Sequence, residues 1–297
     1  MSRPSPQPVF VHRGFSGGAV SCAVVRTGNG DGVLVGTGEG RCELYDADTH
    51  VFIRAVYVDN ERRAISSVGV LGDFIWVHVR NHAIIMLGDN DKPQVTIHLS
   101  HCGFCMASVM GSWLAYPDTV AGKHFLKFWS KNSEDRDPVA LKDIPIVLIS
   151  NDDDIFIGDE AGTLSQISDG RNLQRQVRLF SEPIFCLASS SSTLACGSSK
   201  PPILLLLTED ILEEQKKIHY PQASQGVGSM AFSTSGKTLI AGFWDGSIRA
   251  FSVRKNTILL YLDLHTQTIS QLLWEEVNGV DLVIAASKDE KLSLWKF

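Results

Sequence analysis

Four stretches of the chain repeat one design: "GVLVGTGEGRCELYDADT" from Gly32, "DIFIGDEAGTLSQISDG" from Asp154, "TLIAGFWDGSIRAFSV" from Thr238 and "LVIAASKDEKLSLWKF" from Leu282. In each, a short β-rich run meets a tight polar turn and then an alternating strand. The turns centre on Gly40, Gly162, Gly246 and Glu290, which lie 122, 84 and 44 positions apart. These separations are close to three, two and one times a period of about 42 residues. The period predicts further turns near positions 81, 122 and 203, where the chain has "RNH" (Arg80–His82), "AGK" (Ala121–Lys123) and "SSKPP" (Ser198–Pro202).

Seven evenly spaced turns flanked by strand-like alternation specify an all-β architecture. A repeat of this length fits a seven-bladed WD40-type β-propeller, each blade a four-stranded antiparallel sheet around a central channel. Only "TEDILEEQKKI" hints at a helical period, and it falls where an outer strand is due. The two ends complement each other. The last blade has strands from about Thr268, Leu282 and Lys291 but no room for a fourth, while "PVFVHRG" (8–14) precedes the first blade without a partner. The expectation is one propeller over 1–297, behind a flexible Pro-rich start at 1–7, with the N-terminal strand completing the last blade and leaving no open seam.

Composition narrows the function classes. Of 297 residues 44% are apolar and 20% charged, which suits a folded chain rather than a disordered one. No apolar run approaches the roughly 20 residues of a membrane span, the longest being "ILLLL" at 203–207. Arg3 has no apolar block behind it, so no secretory signal is expected and the protein is placed in the cytosol or nucleus. There the six cysteines are expected to stay reduced. A net charge of −6 without any Lys/Arg cluster argues against nucleic acid as a direct partner.

Several motifs invite a chemical reading. In "HCGFC" (101–105), Cys102 and Cys105 could form a redox pair or half a zinc site. No second pair follows at metal-site spacing and no helix follows to activate a thiol, so core or loop packing is favoured, with "GFCMASV" opening the third blade's inner strand. "VGTGEGR" (35–41) mimics a phosphate loop but leads into a strand rather than a helix, so it reads as a hairpin. "NDDD" (151–154) lacks the ligand spacing of a calcium loop and reads as the first turn of blade four. His78 and His82 straddle a turn, and Cys186 and Cys196 could face each other on paired strands as free thiols. No cofactor, metal or catalytic residue is expected.

The last blade resembles a WD repeat: His265, Ser287, Asp289 and Trp295 fall where that family has a hydrogen-bonded set joining the loop, the turn and the third strand. Asp245 and Gly246 occupy the equivalent turn one blade earlier, with Phe251 in the Trp place. "RNH", "AGK" and "SSKPP" depart from the pattern in lacking the turn Asp. Beyond the repeat, "PVFVHRG", "GFC" (103–105), "AGFWDGSIRAFSV" followed by "LLYLDLH", and "AASKDEKLSLW" resemble the ASTRA-associated protein 1 family, also described as guanine-nucleotide-binding-protein β-subunit-like.

That resemblance implies a non-catalytic scaffold, monomeric within a hetero-complex. It implies partners among the co-chaperone subunits that mature phosphatidylinositol-3-kinase-related kinases, a link to chromatin, and a place in nucleus and cytoplasm. Phe243, Trp244, Arg249 and Lys288 are the candidate partner-binding residues, Trp244 either anchoring a partner or covering the neighbouring blade. Alternatives are another WD40 adaptor, such as a ubiquitin-ligase substrate receptor, or an enzyme using the channel mouth.

Overall fold

The computed structural model describes residues 6–297 except 29, 133, 134, 152, 153 and 169–171; the side chains of Thr27, Glu214 and Gln215 are also outside the description. Most of the Pro-rich start, and Asp152 and Asp153 of the acidic run, therefore lie outside the described residues. Among the described residues the strands form seven four-stranded antiparallel sheets, six of them built from four consecutive strands. Blade one comprises Ala19–Thr27, Gly30–Thr37, Arg41–Asp46 and Phe52–Val58 from the axis outward. Blades two to five occupy 65–98, 108–141, 145–178 and 186–218, and blade six 227–262. The one helical element described is a single 3-10 turn at Asp89–Asp91, so no helix is long and apolar enough to cross a membrane.

Blade seven breaks the consecutive order. Its inner three strands are Ile269–Val277, Val280–Ser287 and Lys291–Trp295, and its outer strand is Phe10–Arg13 from the other end of the sequence. Phe10 pairs with Leu294, Val11 with Ser293, His12 with Leu292 and Arg13 with Lys291. The propeller is therefore closed by the expected N-terminal strand. Behind it the amides of Gly14 and Phe15 both donate to Glu290 O, at 3.0 and 3.3 Å. Asp31 of blade one and Asn278 of blade seven exchange backbone-to-side-chain hydrogen bonds of 3.0 and 2.8 Å where the two blades adjoin.

The period has a backbone cause. Gly40, Asn81, Gly122, Gly162, Gly246 and Glu290 all have positive φ, between 53° and 87°, at the turn joining the second and third strands. A left-handed residue is what such a tight turn requires, and glycine supplies it with least strain. Blade five turns instead through "SSKPP", whose Pro201–Pro202 bond is cis. Middle strands are sandwiched between neighbouring blades and so read as continuous apolar runs, such as "AIIML" at Ala83–Leu87 and "ILLLL" at Ile203–Leu207. Outer strands alternate, as in "NLQRQVR" at Asn172–Arg178, because only one face is covered.

Neighbouring blades interlock at two recurring points. Near the end of the second strand a glycine admits the first apolar residue of the next blade. A Cβ at Gly36, Gly158 or Gly242 would sit within 2.4–2.7 Å of Ile65, Ile184 or Ile269, and one at Gly197 3.2 Å from Val227. Closer to the axis, side chains of one inner strand reach the backbone of another. Ser21 donates to Ile65 O at 2.9 Å, the Leu272 amide donates to Ser229 at 2.8 Å, and the Cys22 amide donates to Gln271 at 2.8 Å.

One boundary differs from the sequence expectation. The third blade's inner strand is Ser108–Met110, so "HCGFC" lies wholly in the connection before it. The Gly103 amide is held by the Asn81 side chain at 3.2 Å, which ties this segment to the turn of blade two rather than to a strand of blade three. The outer strand of blade five, Glu214–Ile218, falls where "TEDILEEQKKI" placed it.

Candidate interaction face

In an antiparallel blade the turn from second to third strand and the link to the next blade emerge at the same end. Seven such turns and links make one face of the ring, and the candidate residues of blades six and seven lie at or beneath it.

At blade seven a buried hydrogen-bond network fastens this face. His265 Nδ1 lies 3.0 Å from Asp289 Oδ1, and His265 Nε2 lies 2.7 Å from Ser293 Oγ, which also accepts the Trp295 indole N–H at 2.7 Å. The pattern is self-consistent when a neutral imidazole donates through Nδ1 and accepts the serine hydroxyl on Nε2. Burial favours the neutral form and lowers the histidine pKa, against the pull of Asp289. Burial opposes ionisation of Asp289 too, but hydrogen bonds from Lys291 and then His265 outweigh it and hold its carboxyl at about 2.

The structure thus brings His265, Asp289 and Trp295 together, with Ser293 in the bridging place. Ser287 works beside the network instead: its hydroxyl donates to Gln267 O at 3.1 Å and accepts the Asp289 amide at 3.2 Å. Ser293 carried a legible signal, since it is the polar residue inside the otherwise apolar "LSLW", two positions before the Trp and on the same side of the strand.

In blade six Asp245 accepts the Ser247 amide and hydroxyl at 2.9 and 2.7 Å. Gly246 backs onto the His265 loop, where a Cβ would stand 2.6 Å from His265 O. Trp244 is half-buried: its ring covers Gly226 and meets Phe185, on the link from blade four, edge-on at 5.1 Å. Its remaining edge and the exposed Lys288 reach the face.

Phe243 and Arg249 do not reach it. Phe243 is fully buried where it ends the second strand, packed toward blade five, and the Arg249 guanidinium lies 4.5 Å from its ring with only 6% of the residue exposed. Sequence reasoning also passed over Phe104, seen only as part of the thiol motif. It is 64% exposed and stacked under the Arg80 guanidinium at 4.3 Å, the largest apolar side chain offered by the face near blades two and three.

The thiol pair is divided. Cys102 is exposed, while Cys105 is buried in the core and burial pushes its thiol pKa up, the opposite of activation. All six cysteines are free thiols. Among the described residues no group of three His, Cys, Asp or Glu side chains is placed to hold a metal ion. On the opposite face an open cleft of about 460 Å³ lies between blades two and three, walled by Leu71, Phe74, Trp129 and Lys131.

The WD domain, G-beta repeat profile matches residues 214–252, from the outer strand of blade five through the third strand of blade six. The protein contains a WD40 repeat. Its phase also accounts for the closure, because a sequence unit that begins on an outer strand leaves the last blade to borrow its own from the first. Among solved structures the chain is similar to the computationally designed Ika8 protein, with a TM-score of 0.70 over 98% of each chain. The identity is 11%, so this likeness is one of fold alone. None of the curated proteins matches the sequence.

Proposed function

We propose that this propeller is a non-catalytic protein-interaction scaffold working in the nucleus and cytoplasm. In this reading it is a subunit or partner of the co-chaperone assembly that matures phosphatidylinositol-3-kinase-related kinases and is linked to chromatin. The scaffold reading is carried by one observation: a closed ring fastened by the His265–Asp289–Ser293–Trp295 network presents Trp244, Lys288 and Phe104 at one end. Side chains held on a frame that barely moves lose little entropy on binding, and aromatic and cationic groups are the usual anchors. The choice of partner rests on the resemblance of "PVFVHRG", "AGFWDGSIRAFSV" and "AASKDEKLSLW" to the ASTRA-associated protein 1 family.

Affinity purification of the tagged full-length protein tests both levels. The expected result is recovery of the kinase-maturation subunits by the wild type and their loss from a Trp244→Ala, Lys288→Glu variant. Recovery of cullin-linked adaptors in their place would replace the partner assignment and leave the scaffold reading standing. Equal recovery by the variant would move the contact off this face.

A further inference from the structure

Blade six departs from blade seven in a way that changes its chemistry. Ser293 stands four residues after the turn Asp289, and Arg249 stands four after Asp245. His265 precedes its turn Asp by 24 residues, and Tyr220 precedes Asp245 by 25. Where blade seven sets a histidine, a serine and an acid in mutual hydrogen bonding, blade six sets a phenol and a guanidinium. Its acid is engaged elsewhere, with Ser247.

Both replacements are buried, Tyr220 at 5% and Arg249 at 6% exposure, and they flank one ring: Tyr220 meets Phe243 at 4.9 Å and the guanidinium lies 4.5 Å from it. Arg249 Nη2 donates to Ser224 Oγ, whereas Arg249 Nη1 and the Tyr220 hydroxyl have no hydrogen-bond partner among the described residues. No carboxylate among them pairs with this arginine. A buried guanidinium keeps its charge, and a buried charge left unpaired is strongly destabilising.

We infer that the unpartnered donors of Arg249 and Tyr220, packed between blades five and six, form a binding site for one carboxylate group. The planar guanidinium fork matches a carboxylate's two oxygens, and the phenol adds a third donor. The approach is from the rim, where Tyr261 pairs with Arg249 across the outer strands, half-exposed, its ring 5.4 Å from the guanidinium carbon. The inference deepens the scaffold reading, since an acidic side chain or the terminal carboxylate of a partner carries the same group. Its test needs no partner.

Thermal unfolding of the full-length protein is followed while sodium acetate replaces sodium chloride at constant pH and ionic strength. Acetate raises the wild-type midpoint saturably, by about 2–4 °C at high occupancy. Arg249→Gln abolishes the rise, and Tyr220→Phe, which removes a single hydroxyl and serves if the arginine variant does not fold, increases the half-saturating acetate concentration several-fold. An amidated peptide with one Glu and a non-acidic peptide with a free C-terminus, each competing with acetate, then separate the two sources of the group. No saturable rise in the wild type, an equal rise in Arg249→Gln or an unchanged half-saturation in Tyr220→Phe, or a response to phosphate but not acetate would each overturn the assignment. Failure to recover co-chaperone subunits would leave it untouched.

Discussion

His265 and Asp289 meet through a 3.0 Å contact between Nδ1 and Oδ1, joining the link from blade six to the turn of blade seven. Removing either partner leaves the other buried without its bond. Asp289→Asn and His265→Ala are each expected to lower unfolding free energy by about 2–4 kcal/mol. Ser293→Ala should cost about 1–3 kcal/mol and Ser287→Ala no more than about 1 kcal/mol. Urea unfolding of the four variants checks the order, and a double-mutant cycle between His265 and Asp289 should show strong coupling. Equal losses from Ser287→Ala and Ser293→Ala would contradict the bridging role of Ser293.

Two histidines give the fold a predictable pH response. His12, in the closing strand, is lowered to about 4 by burial and by nearby His50, and His78 to about 4 by burial and by His101. A folded pKa below the unfolded 6.5 means that the unfolded chain binds protons first. Stability is therefore full above 6.5 and declines as pH falls toward 4. Asp289, held at about 2, keeps its contribution over that range and loses it only below its ordinary 3.8. Urea midpoints measured from pH 7 to 4 should fall, and less steeply in His78→Gln; a flat profile would refute the buried neutral histidines.

The glycine positions predict overpacking. Gly242→Ala would drive a methyl to within 2.6 Å of Ile269 Cβ at the junction of blades six and seven. A loss of about 1–3 kcal/mol is expected, and because Ile269→Ala removes the Cγ2 that stands 2.4 Å from that methyl, it should cost less in the Gly242→Ala background than alone. Calorimetric melting of the single and double variants reads this directly.

The six thiols should divide one from five. Cys102 is exposed, and Cys22, Cys42, Cys105, Cys186 and Cys196 are buried with pKa values pushed up by burial. A chromogenic disulfide reagent should titrate a single thiol in the native protein and six after denaturation. More than one fast-reacting native thiol would show that the core is open.

Much of this architecture could be read from the sequence because the backbone demands that set it are local. Gly40, Gly162 and Gly246 mark turns that need a left-handed residue, and their spacing is the blade. The unpartnered "PVFVHRG" pointed to the closure for the same reason. Other features were hidden because they depend on which side chains meet across blades. Arg249 reads as a partner-binding residue in the sequence, whereas its strand places it buried over Phe243. Trp244 reads as either a partner anchor or a cover for the neighbouring blade, and which contacts it makes, with Gly226 and Phe185, is set only by the fold. Ser293 is marked in the sequence as the polar residue of "LSLW", but its bridge from His265 to Trp295 exists only in the folded blade.

Every contact assigned to the interaction face depends on the ring being closed by the protein's own first strand. Arg13 and Lys291 are directly paired in that strand junction, and opposed antiparallel positions lie within disulfide reach. In an Arg13→Cys, Lys291→Cys variant with Cys102→Ser, mild oxidation followed by peptide mass mapping should find positions 13 and 291 linked within one molecule. Link formation only between molecules, or none, would contradict the closure.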